Sequence, residues 1–269
     1  MFLLNPIRQE KVWGFEDWMA STFYSCVQEN LSSVSKNFPL LVKTIKADSF
    51  LSVQVHPDDK TASVLETADS RGKTECWYVL DAAENSKIVL GLAEKVTQTQ
   101  LENAVKENKI ENLLNYVSVK KGDFIYIPAG TIHALGGGIK VLEVQQSCDT
   151  TYRFYDWGRP RPVHLEKALK SIKLDFSPQI TTLQEFSCPY FSLKRQKISG
   201  GYSYFISKTQ NYPELLYIEE GTNLSVTFTD KNSLRKENVY LYPGELYVTE
   251  AGEKITVEGK GHIIRIKAF

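Results

Sequence analysis

Lys121-Gly122-Asp123-Phe124-Ile125-Tyr126-Ile127-Pro128-Ala129-Gly130 is the stretch on which the fold turns. An aromatic and β-branched core, Phe124 to Ile127, lies between Gly122 and Pro128-Ala129-Gly130, the signature of a short strand bounded by turns. The pattern returns downstream, where Pro243-Gly244-Glu245-Leu246-Tyr247-Val248-Thr249-Glu250-Ala251-Gly252 aligns with it without a gap. Farther upstream, Glu75-Cys76-Trp77-Tyr78-Val79 resembles Glu214-Leu215-Leu216-Tyr217-Ile218. Two β segments match easily by chance, but two pairs in the same order predict a duplicated β unit. Carried forward, the register sets His133 opposite Ile255, and nothing nearby replaces His56. The second copy is therefore expected to keep the scaffold and lack the polar site of the first.

Around this anchor, short β-like runs dominate: Leu40–Ala47, Leu51–Val55, Thr74–Leu80, Lys87–Leu92, Val117–Lys120, Ile139–Gln146 and Arg153–Trp157. Helical signals are few. Thr99 is a candidate N-cap for a helix over 100–115, Asp58-Asp59 opens a short helix to Glu66, and Pro162 opens another to about Lys173. Many short strands with few helices predict a mainly all-β chain, a sandwich or jelly roll. Residues 171–185, which contain Pro178, read as a connector between a domain at 1–170 that carries the site and a second at 186–269 that lacks it.

Lys plus Arg (32) balances Asp plus Glu (32), so no global field favours nucleic acid or an anionic membrane surface. The apolar start Met1-Phe2-Leu3-Leu4 is too short for a signal-peptide core, and no run approaches the roughly 20 apolar residues of a membrane span. Cys26, Cys76, Cys148 and Cys188 are far apart and form no CxxC pair. Free thiols in a reducing cytoplasm are the expectation.

The chain has 4 histidines, and two of them lie in segments that read as metal-ligand motifs. Alternation along a strand puts Ser52, Gln54 and His56 on one face of Leu51–His56, and Leu51, Val53 and Val55 on the other. The same rule puts Lys73 and Glu75 together and turns Cys76 away. His133 follows the Pro128-Ala129-Gly130 turn. Either histidine alone is most simply an ordinary polar residue at a strand end. Together, however, these inward polar groups are costly to bury unless something satisfies them. Two imidazoles (His56, His133), one carboxylate (Glu75) and the carbonyl oxygen of Gln54 suit a zinc ion, one per chain, with a coordination position left open. Gly136-Gly137-Gly138 precedes a strand rather than a helix and reads as a tight turn, not a phosphate loop. Trp77 reads as core filling, His164 and His262 as structural, and Arg71, Lys120, Lys121 and Arg161 as solvated surface charges.

Four motifs also carry a family resemblance: Leu51 to Asp58, Gly72 to Tyr78, Ile127 to Ala134 and Leu142 to Asp156. In order and spacing they resemble the type I mannose-6-phosphate isomerases, most closely the short bacterial form. The resemblance implies two cupin-like jelly-roll barrels and a zinc-dependent interconversion of mannose 6-phosphate and fructose 6-phosphate. It sets the zinc ligands on Gln54, His56, Glu75 and His133, the active-site arginine on Arg153, and further polar site residues on Lys73, Asp149 and Ser52. Arg159 matches a basic residue six positions beyond the arginine.

An aldose–ketose isomerase moves a proton between C1 and C2 through an enediol, which demands a proton carrier and stabilisation of a developing oxyanion. Lys73 is the first candidate for the carrier and Asp149 the competitor; Arg153 and Arg159 are candidates for gripping phosphate. The expected partner is a small sugar phosphate, with no protein partner evident. Two other readings compete: another mononuclear-metal enzyme of the same fold, since two histidines and a carboxylate also hold iron(II), and a non-catalytic sugar-binding or regulatory cupin.

Overall fold

The structure, a computed structural model, describes residues 1–23, 25–175, 178–229 and 236–269. Its contacts divide the chain into two compact units. One comprises Arg8–Trp18 and Val42–Thr182; the other comprises Met1–Ile7, Met19–Leu41 and Leu183–Phe269. The units thus interleave along the chain, unlike the linear division at 170 and 186. The reason is strand pairing: Phe2–Leu4 adds to Leu246–Thr249, and the N-terminal ammonium meets the buried Glu253 carboxylate at 2.5 Å. The expected connector includes Ile180–Thr182, an edge strand paired with Asp123–Ile127. Its residues 176 and 177 lie outside the described residues.

The unit containing the motifs is built from two sheets. A seven-stranded sheet runs in the order Ile180–Thr182, Asp123–Ile127, Glu75–Ala82, Ile139–Gln146, Leu40–Ala47, Gly14–Ala20, Ile7–Lys11. A five-stranded sheet runs Leu114–Ser118, Lys87–Leu92, His133–Ala134, Val53–Val55, Tyr152–Tyr155. Trp77, Val79, Ile125, Ile127 and Val141 from the first pack with Ile88 and Leu90 from the second. The opposite face of the small sheet (Val53, Val55, Val89, Phe154) is covered by Leu101 and Ala168 from two helices, Gln98–Lys106 and Leu165–Ser171. A sheet strand with cover on one side and a cavity on the other can send apolar residues one way and polar ones the other.

Local chemistry explains where the helices fall. Asp58 caps Asp59–Leu65 by accepting from the Thr61 N–H at 2.8 Å. The next helix starts at Thr97 rather than Thr99, because Thr97 and Gln100 form a reciprocal capping box. It stops at Lys106, shortly before Asn108 takes a left-handed backbone at φ 55°. A short 3₁₀ turn, Ile110–Leu113, then leads into the strand Leu114–Ser118, where a continuous helix to 115 was expected. Leu51 also departs from the predicted alternation. The strand begins only at Val53, so Leu51 packs in the inner core while Val53 and Val55 face the helices. No helix among the described residues is long and apolar enough to cross a membrane, and all four cysteines are free thiols.

The other unit centres on three long strands, Phe191–Phe205, Glu214–Thr229 and Lys254–Ala268, in one seven-stranded sheet. Gly259 sits at φ 118° where a Cβ would lie 2.5 Å from the Asn223 carbonyl oxygen, so only glycine fits at this bulge.

Candidate metal centre and adjoining cavity

Strand pairing places the site. His133 pairs with Gln54, and Gln54 pairs with Arg153, so three polar side chains form a row across neighbouring strands of the small sheet. Glu75 enters from the facing sheet, where it pairs with Ile127 on one side and Gln145 on the other. Two turns fix the remaining geometry. The Gly130 N–H donates to the His56 carbonyl at 2.8 Å, and the Lys73 N–H donates to the Pro57 carbonyl at 3.0 Å. Gly72 is needed beside them, since a Cβ there would lie 2.5 Å from the Asp59 amide nitrogen.

His56, Glu75 and His133 are buried, and one donor atom from each lies within 4.8 Å of the others. The His56 Nδ1 lies 2.9 Å from the Thr150 carbonyl and the His133 Nδ1 2.9 Å from the Thr131 carbonyl. Nδ1–H must therefore donate in both rings, which leaves each Nε2 lone pair directed at Glu75. His56 Nε2 is 3.5 Å and His133 Nε2 3.3 Å from the carboxylate. Lys73 Nζ lies 2.9 Å from Glu75 Oε2 and 3.1 Å from His56 Nε2. Even so, neither Glu75 oxygen accepts a hydrogen bond of normal geometry. A buried carboxylate with unfilled acceptor sites, facing two imidazole lone pairs, fits a divalent cation.

Electrostatics agree with the geometry. Burial opposes the Glu75 charge, but Lys73 and the two imidazoles hold its carboxyl well below the usual range. Burial and then Lys73 push His56 well below the ordinary imidazole value, which keeps the ring neutral and able to ligate. Gln54 Oε1 accepts from Ser52 Oγ at 3.2 Å while its Nε2 lies 3.4 Å from His133 Nε2. Half a turn of the amide exchanges oxygen for nitrogen and presents the acceptor to the metal position.

Lys73, Gln54 and Trp77, which flank the triad, line a cavity of about 280 Å³ together with Ser52, Asp149 and Arg153 among others. Most of the expected site residues therefore converge. Asp149 is exposed at its rim, whereas Lys73 is buried at the metal triad. Arg159 is not among the lining residues; Arg161, expected on the surface, is. Trp77 both fills the core and lines the cavity, with its ring edge-on to His133 at 5.5 Å. His164 braces Arg153, accepting from its N–H at 3.3 Å.

Sequence reasoning missed a buried charge chain in the same wall. Lys43 lies 2.9 Å from Glu143 Oε1 and 3.7 Å from Glu16, and Trp77 Nε1 donates to Glu143 Oε2 at 2.8 Å. Burial opposes the Lys43 ammonium, yet Glu143 and Glu16 raise its pKa. The signal was present: Lys43 and Glu143 each interrupt an apolar strand run, Leu-Leu-Val-Lys-Thr-Ile and Val-Leu-Glu-Val.

A mainly β protein with a buried His–Glu–His cluster beside a polar cavity has the form of a cupin-type protein with a candidate metal site. Comparison with known proteins narrows the class. The model of the family "Phosphomannose isomerase type I, catalytic domain" matches residues 6–75. Mannose-6-phosphate isomerase of Streptococcus mutans is 36% identical over 232 residues, 80% of this chain and 71% of that protein. ManA of Bacillus subtilis is 39% identical over 183 residues, a match spanning only 58% of its length. The crystal structure of the mannose 6-phosphate isomerase from Bacillus subtilis superposes with a TM-score of 0.83 at 26% identity, covering 98% of each chain. The chain belongs to the mannose-6-phosphate isomerase family.

Proposed function

We propose that this protein is a zinc-dependent aldose–ketose isomerase that interconverts mannose 6-phosphate and fructose 6-phosphate. The observation that carries the reading is the buried carboxylate of Glu75, which faces two imidazoles and Lys73, a residue that lines the adjoining polar cavity. His56, Glu75, His133 and Gln54 would hold the ion, which supplies Lewis-acid polarisation of a sugar carbonyl.

The remaining work falls to the chain's own groups. Lys73, buried beside Glu75, is better placed than the exposed Asp149 to carry the proton between C1 and C2. Arg153, in register with Gln54, steadies negative charge at the reacting end. Ser52 orients Gln54 through its 3.2 Å hydrogen bond. Glu143, which lines the cavity and is held by Lys43 at 2.9 Å and Trp77 at 2.8 Å, offers its carboxylate to a sugar hydroxyl. Trp13, Trp18, Leu51 and Trp77 wall the cavity and exclude water from the enediol.

The test is a coupled assay with mannose 6-phosphate on the purified protein as isolated, after chelation, and after zinc is restored. Activity lost on chelation and regained with zinc is the expected result. No turnover with one equivalent of zinc bound would overturn the reading and favour a sugar-binding protein.

A further inference from the structure

Three guanidiniums gather at the small sheet's edge: Arg153 on the edge strand Tyr152–Tyr155, and Arg159 and Arg161 on the segment that follows, both paired with Asp156. Arg159 is tied to the protein on two sides, at Asp156 and at Phe50. Its Nη2 meets Asp156 Oδ1 at 2.7 Å and the Phe50 carbonyl at 2.8 Å, and its Nε reaches Asp156 Oδ1 at 3.2 Å. It does not line the cavity. Arg161 is held differently. Its Nε and Nη2 form a fork on Asp156 Oδ2 and Oδ1, both at 2.6 Å. That fork fixes the plane of the guanidinium; Nη1 carries no protein hydrogen bond in either arginine among the described residues, so what sets Arg161 apart is its place in the cavity wall. Arg161 lines the cavity together with Arg153, and its side chain retains 26% of its exposure.

We propose that Arg161, locked on the buried Asp156, is the residue that selects the phosphate of the substrate, and that Arg159 is a strut holding this segment against Phe50. The inference rests on the reading of the cavity as a sugar-phosphate site. Charge balance points the same way: among the cavity's lining residues Lys11, Lys43, Lys73, Arg153 and Arg161 outnumber Glu16, Glu143 and Asp149, an excess that a phosphate dianion neutralises. Arg153 registers that excess, its pKa lowered first by burial and then by Arg161. Position also matters. A guanidinium pre-set by a buried carboxylate loses little side-chain entropy when it closes on an anion, whereas a free one must be ordered first.

The experiment measures binding of mannitol 6-phosphate and of mannitol to the metal-loaded full chain by calorimetry. Neither probe has a carbonyl to isomerise, so the readout is independent of turnover. Wild type is expected to prefer the phosphorylated hexitol. Arg161→Gln should weaken mannitol 6-phosphate roughly 10- to 100-fold and leave mannitol unchanged. Arg161→Lys, which keeps the charge but not the fork, should lose an intermediate amount and serves if the glutamine variant fails to fold. Arg159→Gln should keep the preference and lower the melting temperature. A full preference in both Arg161 variants, or its loss in Arg159→Gln, overturns the assignment. A wild type that does not distinguish the two hexitols instead overturns the sugar-phosphate reading itself.

Discussion

Glu75 and Glu214 stand at the same step of the same ladder in the two β units, yet they face different cations. Glu75 pairs with Ile127 and Glu214 with Thr249, the partners predicted by the sequence repeat. The turns coincide as well. Gly122 and Gly244 have φ of 91° and 89°, and their N–H groups donate to Val79 and Ile218 at 2.9 and 2.8 Å. Gly130 donates to the His56 carbonyl at 2.8 Å, and Gly252 to that of Ile206 at 2.9 Å. Ile206 therefore occupies the place of His56. Arg265, paired with Leu216 as Glu143 is with Trp77, reaches Glu214 with Nε at 2.5 Å and Nη2 at 3.1 Å. Its guanidinium also lies 3.8 Å from the centre of the Tyr204 ring.

The difference shows how one scaffold yields a closed site and an open one. A buried carboxylate must be compensated. Where the chain supplies a guanidinium on the adjacent strand, the site is complete. Where it supplies one ammonium, Lys73, and two imidazoles with inward lone pairs, the carboxylate keeps acceptor sites open to a cation. Both designs keep the carboxylate; only one can do chemistry.

Four outcomes would break or sharpen this comparison. The largest effect belongs to Glu75→Gln or His133→Ala, expected to lose zinc on dialysis and to drop kcat by roughly 1000-fold or more. Metal analysis and the coupled assay check both, and a variant that retained zinc and turnover would break the contrast. Next is Arg265→Met, which strands Glu214 and should cost about 3–5 kcal/mol in urea unfolding with zinc content unchanged. Lys73→Ala should lower kcat by about 100-fold while zinc stays bound; near-normal turnover would remove it as the proton carrier. The smallest effects are Gly122→Ala and Gly244→Ala. A Cβ meets nothing within 4 Å at either position, so each should cost only the left-handed backbone penalty of about 1–2 kcal/mol. Equal losses confirm equivalent turns, and clearly unequal ones sink the equivalence.

Much of this was legible because local rules decide it. Leu40–Ala47, Lys87–Leu92, Asp123–Ile127 and Ile139–Gln146 form as read, since β-branched and aromatic runs bounded by turns leave little alternative. Asp58 capped the expected helix because an N-cap needs only its own three following residues. The misreadings have equally specific causes. Thr97 outcompeted Thr99 by a reciprocal bond with Gln100. Arg161 was read as a surface charge because two arginines flanking one proline look alike in sequence, and only the fold shows that one lines the cavity while the other reaches the Phe50 carbonyl.

The sequence by itself determined the β character, the repeat, and the set of imidazole and carboxylate groups, because strand periodicity and turn chemistry act within a few residues. Only the tertiary structure decided which charges meet. Lys43 with Glu143, Glu214 with Arg265 and Arg161 with the cavity are encounters between distant segments. They depend on strand order and register, and a pairing of strands is fixed by the whole sheet rather than by either segment alone.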